Sequence, residues 1–430
     1  MRPTPSASRP SSKFDQPDLH VRGDCRLCGA TQLEQVLDLG HTPLANEFVP
    51  AEQSQRPQDL FPLSVHLCRR CGHAQLVHVV NPERLFRNYV YVSGTSPVFI
   101  DHFRRYADAM LRLTKMPLGS DVLEIGSNDG TLLQFFKQAG MRVLGIDPAR
   151  AIATQATERG VPTMPEFLTI DLAKHLTREG WRPKLIAANN VFAHADDLHG
   201  IVDAVKELLA PDGLFVFEVS YLMDVFEKTL FDTMYHEHLS YHTVRPLREL
   251  FRRHGMELID AQRVDSHGGS LRGIAQVAGG PWPVQAGVAQ RIAEETERGL
   301  FEAKTYRDFA QRIQQRKTQL VTLLRELRGR SQRIIGFGAP AKATTLMYHF
   351  GIGPELIEAI IDDSPWKQGM YSPGQHLPIV PSSVLYEWTP RPQYALLLAW
   401  NFAEPIMAKH QAFHEAGGRF IIPLPEVEVR

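Results

Sequence analysis

Neither sign of charge is in excess in this chain. Its 47 Lys and Arg stand against 48 Asp and Glu, a formal net charge of -1 over 430 residues. No global field draws such a chain onto nucleic acid or an anionic membrane. Long apolar runs are missing too: none approaches the roughly 18 residues that cross a bilayer. The opening "MRPTPSASRPSSKFDQP" lacks the apolar stretch of a secretory signal, and its Pro and Ser read as a floppy tail over residues 1–21. No solenoid period recurs, which excludes stacked repeats. These absences lead us to expect a cytoplasmic chain without nucleic-acid or membrane partners. Cysteine is the scarcest residue, four in all, and with no secretion signal a disulfide framework is disfavoured.

Those four cysteines form two pairs, Cys25 and Cys28 in "CRLC", and Cys68 and Cys71 in "CRRC". Paired C-x-x-C knuckles match a tetrahedral Zn(Cys)4 site, and four thiolates close the coordination sphere, so the metal is expected to be structural. Gly29 and Gly72 follow the pairs and suit the left-handed turn after each knuckle. The competing readings are a thioredoxin-like redox motif and reduced buried cysteines.

At 430 residues the chain is too long for one ordinary core. "RNYVYVSGTSPVF" alternates aromatics through Tyr89 and Tyr91 into Ser93, an extended segment entering a loop that can approach a ligand. "DVLEIGSNDGTLLQFFKQAGMRVLGIDPA" parses as strand, glycine loop, helix, strand. "PKLIAANNVFAH", "LHGIVDAVKELLA" and "LFVFEVS" continue the alternation. The expected fold class is α/β, a doubly wound parallel sheet. Residues 285–330 read as long amphipathic helices with solvated charged faces. They lead to a second α/β unit around "IIGFGAPAKATTL".

In the first loop Glu124, Gly126 and Gly130 form E-x-G-x-x-x-G, and Asp147 closes the next strand, where a carboxylate can accept both ribose hydroxyls. A plain strand-turn-helix is the alternative, since glycine loops alone are weak evidence. The acid before the loop and the acid after strand two favour S-adenosylmethionine over NAD. Its sulfonium is expected near the backbone of Gly126 to Asn128, with Asn190 facing the same cofactor. In the second loop, Gly336, Gly338 and Lys342 precede a helix and could hold an anion. The G-K-[ST] ending of an ATPase loop is absent.

"LFDTMYHEHLSYHT" concentrates three histidines, a glutamate and two tyrosines. It is not H-E-x-x-H, so zincin geometry is absent. On a helix His236 and His238 would diverge, while His238 and His242 would share a face without an evident third ligand. Acid/base chemistry fits better: removing a proton beside a carbonyl needs a base poised near neutral pH, donors for the developing oxyanion, and a carboxylate fixing the imidazole tautomer.

"VLEIGSNDGTLL", the paired knuckles, "NNVFAHADDL", "MYHEHLSYH" and "GFGAPAKATTL" stand in the order seen in nucleotide-sugar C-methyltransferases, and from about residue 22 onward the chain resembles that three-domain family. The resemblance implies a zinc domain (22–85), an S-adenosylmethionine domain (86–285) and linker helices with a C-terminal Rossmann-like substrate domain (286–430). The implied base is His238, flanked by Glu237 and Tyr235, with His194 polarising or orienting and Tyr89 facing the substrate. Tyr91, Ser93, Lys342 and Asn401 are the expected substrate contacts. The substrate implied is a TDP- or GDP-linked 4-keto-6-deoxyhexose methylated at C-3, by a monomer or homodimer. The alternatives are C-5 methylation and a non-catalytic zinc-stabilised partner. For His73, His236 and His242 the expectation is hydrogen-bonded, half-buried structural residues.

Overall fold

The computed structural model describes residues 18–87, 97–266 and 268–430. Tyr89, Tyr91 and Ser93 lie outside the described residues.

The N-terminal part is an antiparallel sheet of Leu33–Thr42, Phe61–Cys68 and Ala74–Leu76. Its fourth strand, Ser240–Tyr241, arrives from far along the chain. Ser240 pairs with Gln75 and Tyr241 with Ala74, and Leu76 N–H donates to the Leu239 carbonyl at 2.9 Å. The histidine-rich segment is therefore bound into the zinc-domain sheet.

The central sheet has seven strands. Five run parallel: Asp121–Ile125, Arg142–Ile146, Thr163–Met164, Leu185–Asn189 and Leu214–Ser220. Both faces of Asp121–Ile125 and Leu185–Asn189 are covered, so every residue there is buried and the strands read as near-continuous apolar runs. Side chains alternate between two layers: Val122, Val143 and Leu185 pack with Leu132 and Phe136, while Leu123, Leu144 and Ile186 face the other way. The sheet is mixed rather than purely parallel. Ser270–Val277 runs antiparallel between Leu214–Ser220 and Met256–Val264. The physical reason is length: five residues separate these last two strands, enough for a hairpin, whereas a parallel crossover needs a dozen or more.

The third sheet, six strands wide, places Ile334–Phe337 between Ile360–Ile361 and Tyr394–Leu397, all parallel. Asp121–Ile125 sits likewise between Arg142–Ile146 and Leu185–Asn189. Each is the strand at which chain order reverses, the usual place for a ligand crevice. Helices Ala286–Glu297 and Ala303–Gly329 connect the two sheets. The longer one buries Tyr306, Phe309, Ile313, Leu320, Leu324 and Leu327 at helical spacing and leaves its charges to solvent. Phe226 packs on Tyr306 and Phe309 at 4.9 and 4.5 Å between ring centroids. Among the described residues no helix is long and apolar enough to cross a membrane.

Candidate active site

The four cysteine sulfurs lie within 4.8 Å of one another. Cys25 and Cys71 Sγ are 3.6 Å apart, and Cys28 and Cys68 Sγ 3.5 Å. These separations are far longer than a disulfide and close to the roughly 3.8 Å between sulfurs around tetrahedral zinc. Gly29 and Gly72 take φ of 67° and 81°, the left-handed turns expected after each knuckle. The donor set fits a structural Zn2+.

At the first glycine loop, Gly126 has φ 66° and an added Cβ would stand 2.2 Å from Val191 Cγ2, so glycine is required there. Asp129 Oδ1 accepts from the N–H and hydroxyl of Thr131, starting helix Thr131–Gln138. Glu124 and Asn189 stand at the carboxyl ends of adjacent strands, and Asn128 and Asn190 follow with φ of 51° and 55°. Glu124 Oε2 and Ser127 Oγ are buried without a hydrogen-bond partner among the described residues. Burial, opposed by Asn189 and reinforced by Asp129 and Asp147, holds the Glu124 carboxyl well above the usual range. Unsatisfied polar atoms around a glycine loop are what a bound adenosyl amino acid would satisfy, so the residues fit S-adenosylmethionine. Asp147 differs from expectation in detail: its Oδ2 accepts the Asn128 N–H at 2.8 Å and its Oδ1 the Ala149 N–H at 2.9 Å. Its first task is to hold the loop.

From this loop the path to the histidines is short. Val191 touches Gly126, and His194 N–H donates to the Val191 carbonyl at 2.8 Å. The His194 and His238 rings meet edge to face at 4.8 Å, with Tyr235 4.1 Å from His238 on another side. His238 Nδ1 is 2.7 Å from the Thr233 carbonyl. A carbonyl only accepts, so Nδ1 carries the proton and Nε2 keeps its lone pair. The tautomer is thus set by a backbone oxygen, where a carboxylate is expected. Glu237 is buried, and its Oε1 accepts from Asn46 Nδ2 of the zinc domain at 2.7 Å. Burial depresses His238 to about 4, opposed by the Thr233 carbonyl, and burial plus the neighbouring His238 drives His194 well below its ordinary value. Both rings are neutral at pH 7, and His238 lies below the near-neutral base expected, because burial disfavours its charged form.

The segment from Met234 to Leu239 is a turn running into a strand, so helical spacing does not govern these histidines. His236 Nε2 donates to the Pro62 carbonyl at 3.1 Å. His242 stacks on Phe192 at 5.6 Å, and His73 contacts Ser240 Oγ at 3.3 Å. All three are at most 1% exposed, deeper than the half-burial expected.

Lys342 does not front an open anion pocket. Its side chain is 12% exposed, with Nζ 3.9 Å from Asp232 Oδ2 and 4.1 Å from the Trp400 ring centroid. Trp400 Nε1 donates to the same Asp232 Oδ2 at 2.7 Å. The second glycine loop nonetheless repeats the first: Asp362 Oδ2 accepts the Ala339 N–H and its Oδ1 the Ser364 N–H, at 2.8 and 2.9 Å. Asn401 is exposed.

Several residues escaped sequence reasoning. Thr233, Asn46, Asp232 and Trp400 acquire their places only through tertiary contact. Asn189 was legible beside Asn190 in "AANN". Glu218 is bound by His102 Nε2 and Arg272 Nε, each at 2.7 Å, and Glu295 accepts from Tyr221 O–H and Val244 N–H at 3.0 and 2.7 Å. No local motif marks either acid.

The fold and its two sites define a methyltransferase that takes S-adenosylmethionine and carries a structural zinc domain. Family models agree along the chain: a zinc-binding domain over residues 25–86, "Methyltransferase domain" over 99–261 and "C-methyltransferase C-terminal domain" over 265–425. C-methyltransferase NovU of Streptomyces niveus is 38% identical over 412 residues, spanning 94% of this chain and 96% of that protein. An uncharacterized methyltransferase of Bacillus pumilus is 28% identical over 131 residues, 29% of this chain and 58% of its own. Among solved structures, an S-adenosylmethionine-dependent methyltransferase from Clostridium acetobutylicum aligns with 11% identity and a TM-score of 0.34, over 42% of this chain and 92% of that one. The chain belongs to the C-methyltransferase family that NovU represents.

Proposed function

We propose that the protein methylates a ring carbon of a nucleotide-linked 4-keto-6-deoxyhexose, at C-3, with His238 as the base. The observation that carries this reading is the His238 Nδ1 contact to the Thr233 carbonyl, which leaves the Nε2 lone pair free to accept a proton beside His194. S-adenosylmethionine supplies an electrophilic methyl group when bound. The chain's own residues do the rest. His238 Nε2 takes the proton from the carbon next to the ketone, and the electron pair moves toward the ketone oxygen as an enolate. His194, neutral and close by, donates an N–H toward that oxygen. Tyr235 packs on the base and limits its orientations. Glu124, Asn189 and the backbone from Gly126 to Asn128 hold the cofactor so that the nucleophilic carbon meets the methyl in line, with water excluded. Asn401 is assigned to the nucleotide end of the substrate, TDP or GDP, with Tyr89, Tyr91 and Ser93 toward the sugar. Glu237, anchored on Asn46, keeps the base segment seated on the zinc domain.

The test is mass spectrometry after incubation with S-adenosylmethionine and a panel of 4-keto nucleotide sugars. One added methyl at an acidic ring carbon, preceded by deuterium wash-in at that carbon, is expected. Methylation on oxygen or nitrogen alone would refute the reading.

A further inference from the structure

We propose that Arg26 is a positioning residue for both active-site histidines, which makes the first zinc knuckle part of the catalytic architecture. Arg26 lies between Cys25 and Cys28 and is 0% exposed. Its Nη1 donates to the Leu239 carbonyl at 2.9 Å, its Nη2 to the Leu76 carbonyl at 3.1 Å and its Nε to Asp196 Oδ1 at 3.1 Å. Its backbone N–H donates to Gln75 Oε1 at 2.7 Å. Leu239 directly follows His238, and Asp196 stands two residues after His194. One planar guanidinium thus joins the backbone just after His238 to the carboxylate two residues beyond His194, and the two rings stand 4.8 Å apart.

The Asp196 carboxylate is 32% exposed, and so open an ion pair contributes little stability. What this one contributes is geometry, because the guanidinium fork fixes its acceptors in a plane. Lysine at this position could pair with Asp196 but could not reach both carbonyls together. The inference rests on His238 and His194 acting as proposed above.

Arg26→Lys and Asp196→Asn test it, each checked for zinc content and for S-adenosylmethionine affinity by calorimetry. A base displaced by about 1 Å loses on the order of a hundredfold in rate. Both variants are therefore expected to lower turnover and deuterium wash-in together by about 10- to 100-fold, while zinc content and cofactor affinity hold. The nitrogen-15 resonances of the His194 and His238 imidazoles are expected to move even without substrate. If Arg26→Lys loses its metal, Asp196→Asn, which lies outside the knuckle, decides alone. Wild-type wash-in and unmoved imidazole resonances would overturn the proposal. Retained turnover in His238→Asn would instead remove the base assignment, while moved resonances would still report the hold of Arg26.

Discussion

Acid should unfold this protein before it titrates the proposed base. His236 and His242 are 1% and 0% exposed, and burial lowers them to about 4 and about 3. In the unfolded chain each imidazole returns to about 6.5. Between these values the unfolded state binds more protons than the native one, so stability rises with pH. The contribution is whole above about pH 6.5 and is lost as pH falls toward the folded values. Near pH 5 each ring costs about 2 kcal/mol, so the two together remove about 4 kcal/mol, a large share of a typical 5–15 kcal/mol. His238 stays neutral down to about 4, so the acid limb of kcat/KM should follow the loss of fold rather than an imidazole titration. Urea melts from about pH 8 to about pH 5, with zinc content measured at each point because thiolate protonation releases metal, give the slope. His242→Phe, a ring already stacked on Phe192, should recover about 2 kcal/mol of the stability lost between about pH 8 and about pH 5. An unchanged pH dependence in His242→Phe would refute the reasoning.

His238→Asn should fold and bind S-adenosylmethionine as the wild type does, yet lose about 10²- to 10⁴-fold in turnover, measured by methyl transfer and by deuterium wash-in. Lys342→Met should strand the buried Asp232 carboxylate and cost about 3–5 kcal/mol, with Lys342→Met combined with Asp232→Asn recovering much of it in a double-mutant cycle of urea melts. Stripping zinc with a chelator, or Cys28→Ser, should loosen the sheet that carries Ser240–Tyr241. Wash-in activity would then fall in step with metal content by elemental analysis, and near-circular dichroism would lose its tertiary signal.

The central strands were legible because both faces of Asp121–Ile125 and Leu185–Asn189 are buried, leaving short apolar runs between turn signals. The zinc knuckles were legible because four thiolates at fixed spacing have few other uses. The antiparallel final hairpin was not, since a strand's direction depends on the length of its connection rather than on its own residues. Within the histidine segment, residue types pointed to proton chemistry, but the orienting partner was invisible. Thr233 offers its carbonyl, and every residue has one. Lys342 showed the opposite failure: a lysine after a glycine loop reads as an anion site until Asp232, over a hundred positions away, is found beside it.

The late strand Ser240–Tyr241 also sets an order of events during synthesis. The edge of Ala74–Leu76 stays without its neighbour until residue 241 has left the ribosome. At about 5–20 residues per second that wait lasts on the order of ten seconds, with exposed edge amides open to pairing with other nascent chains. Metal captured early by the four thiolates would keep the unfinished sheet compact through that interval.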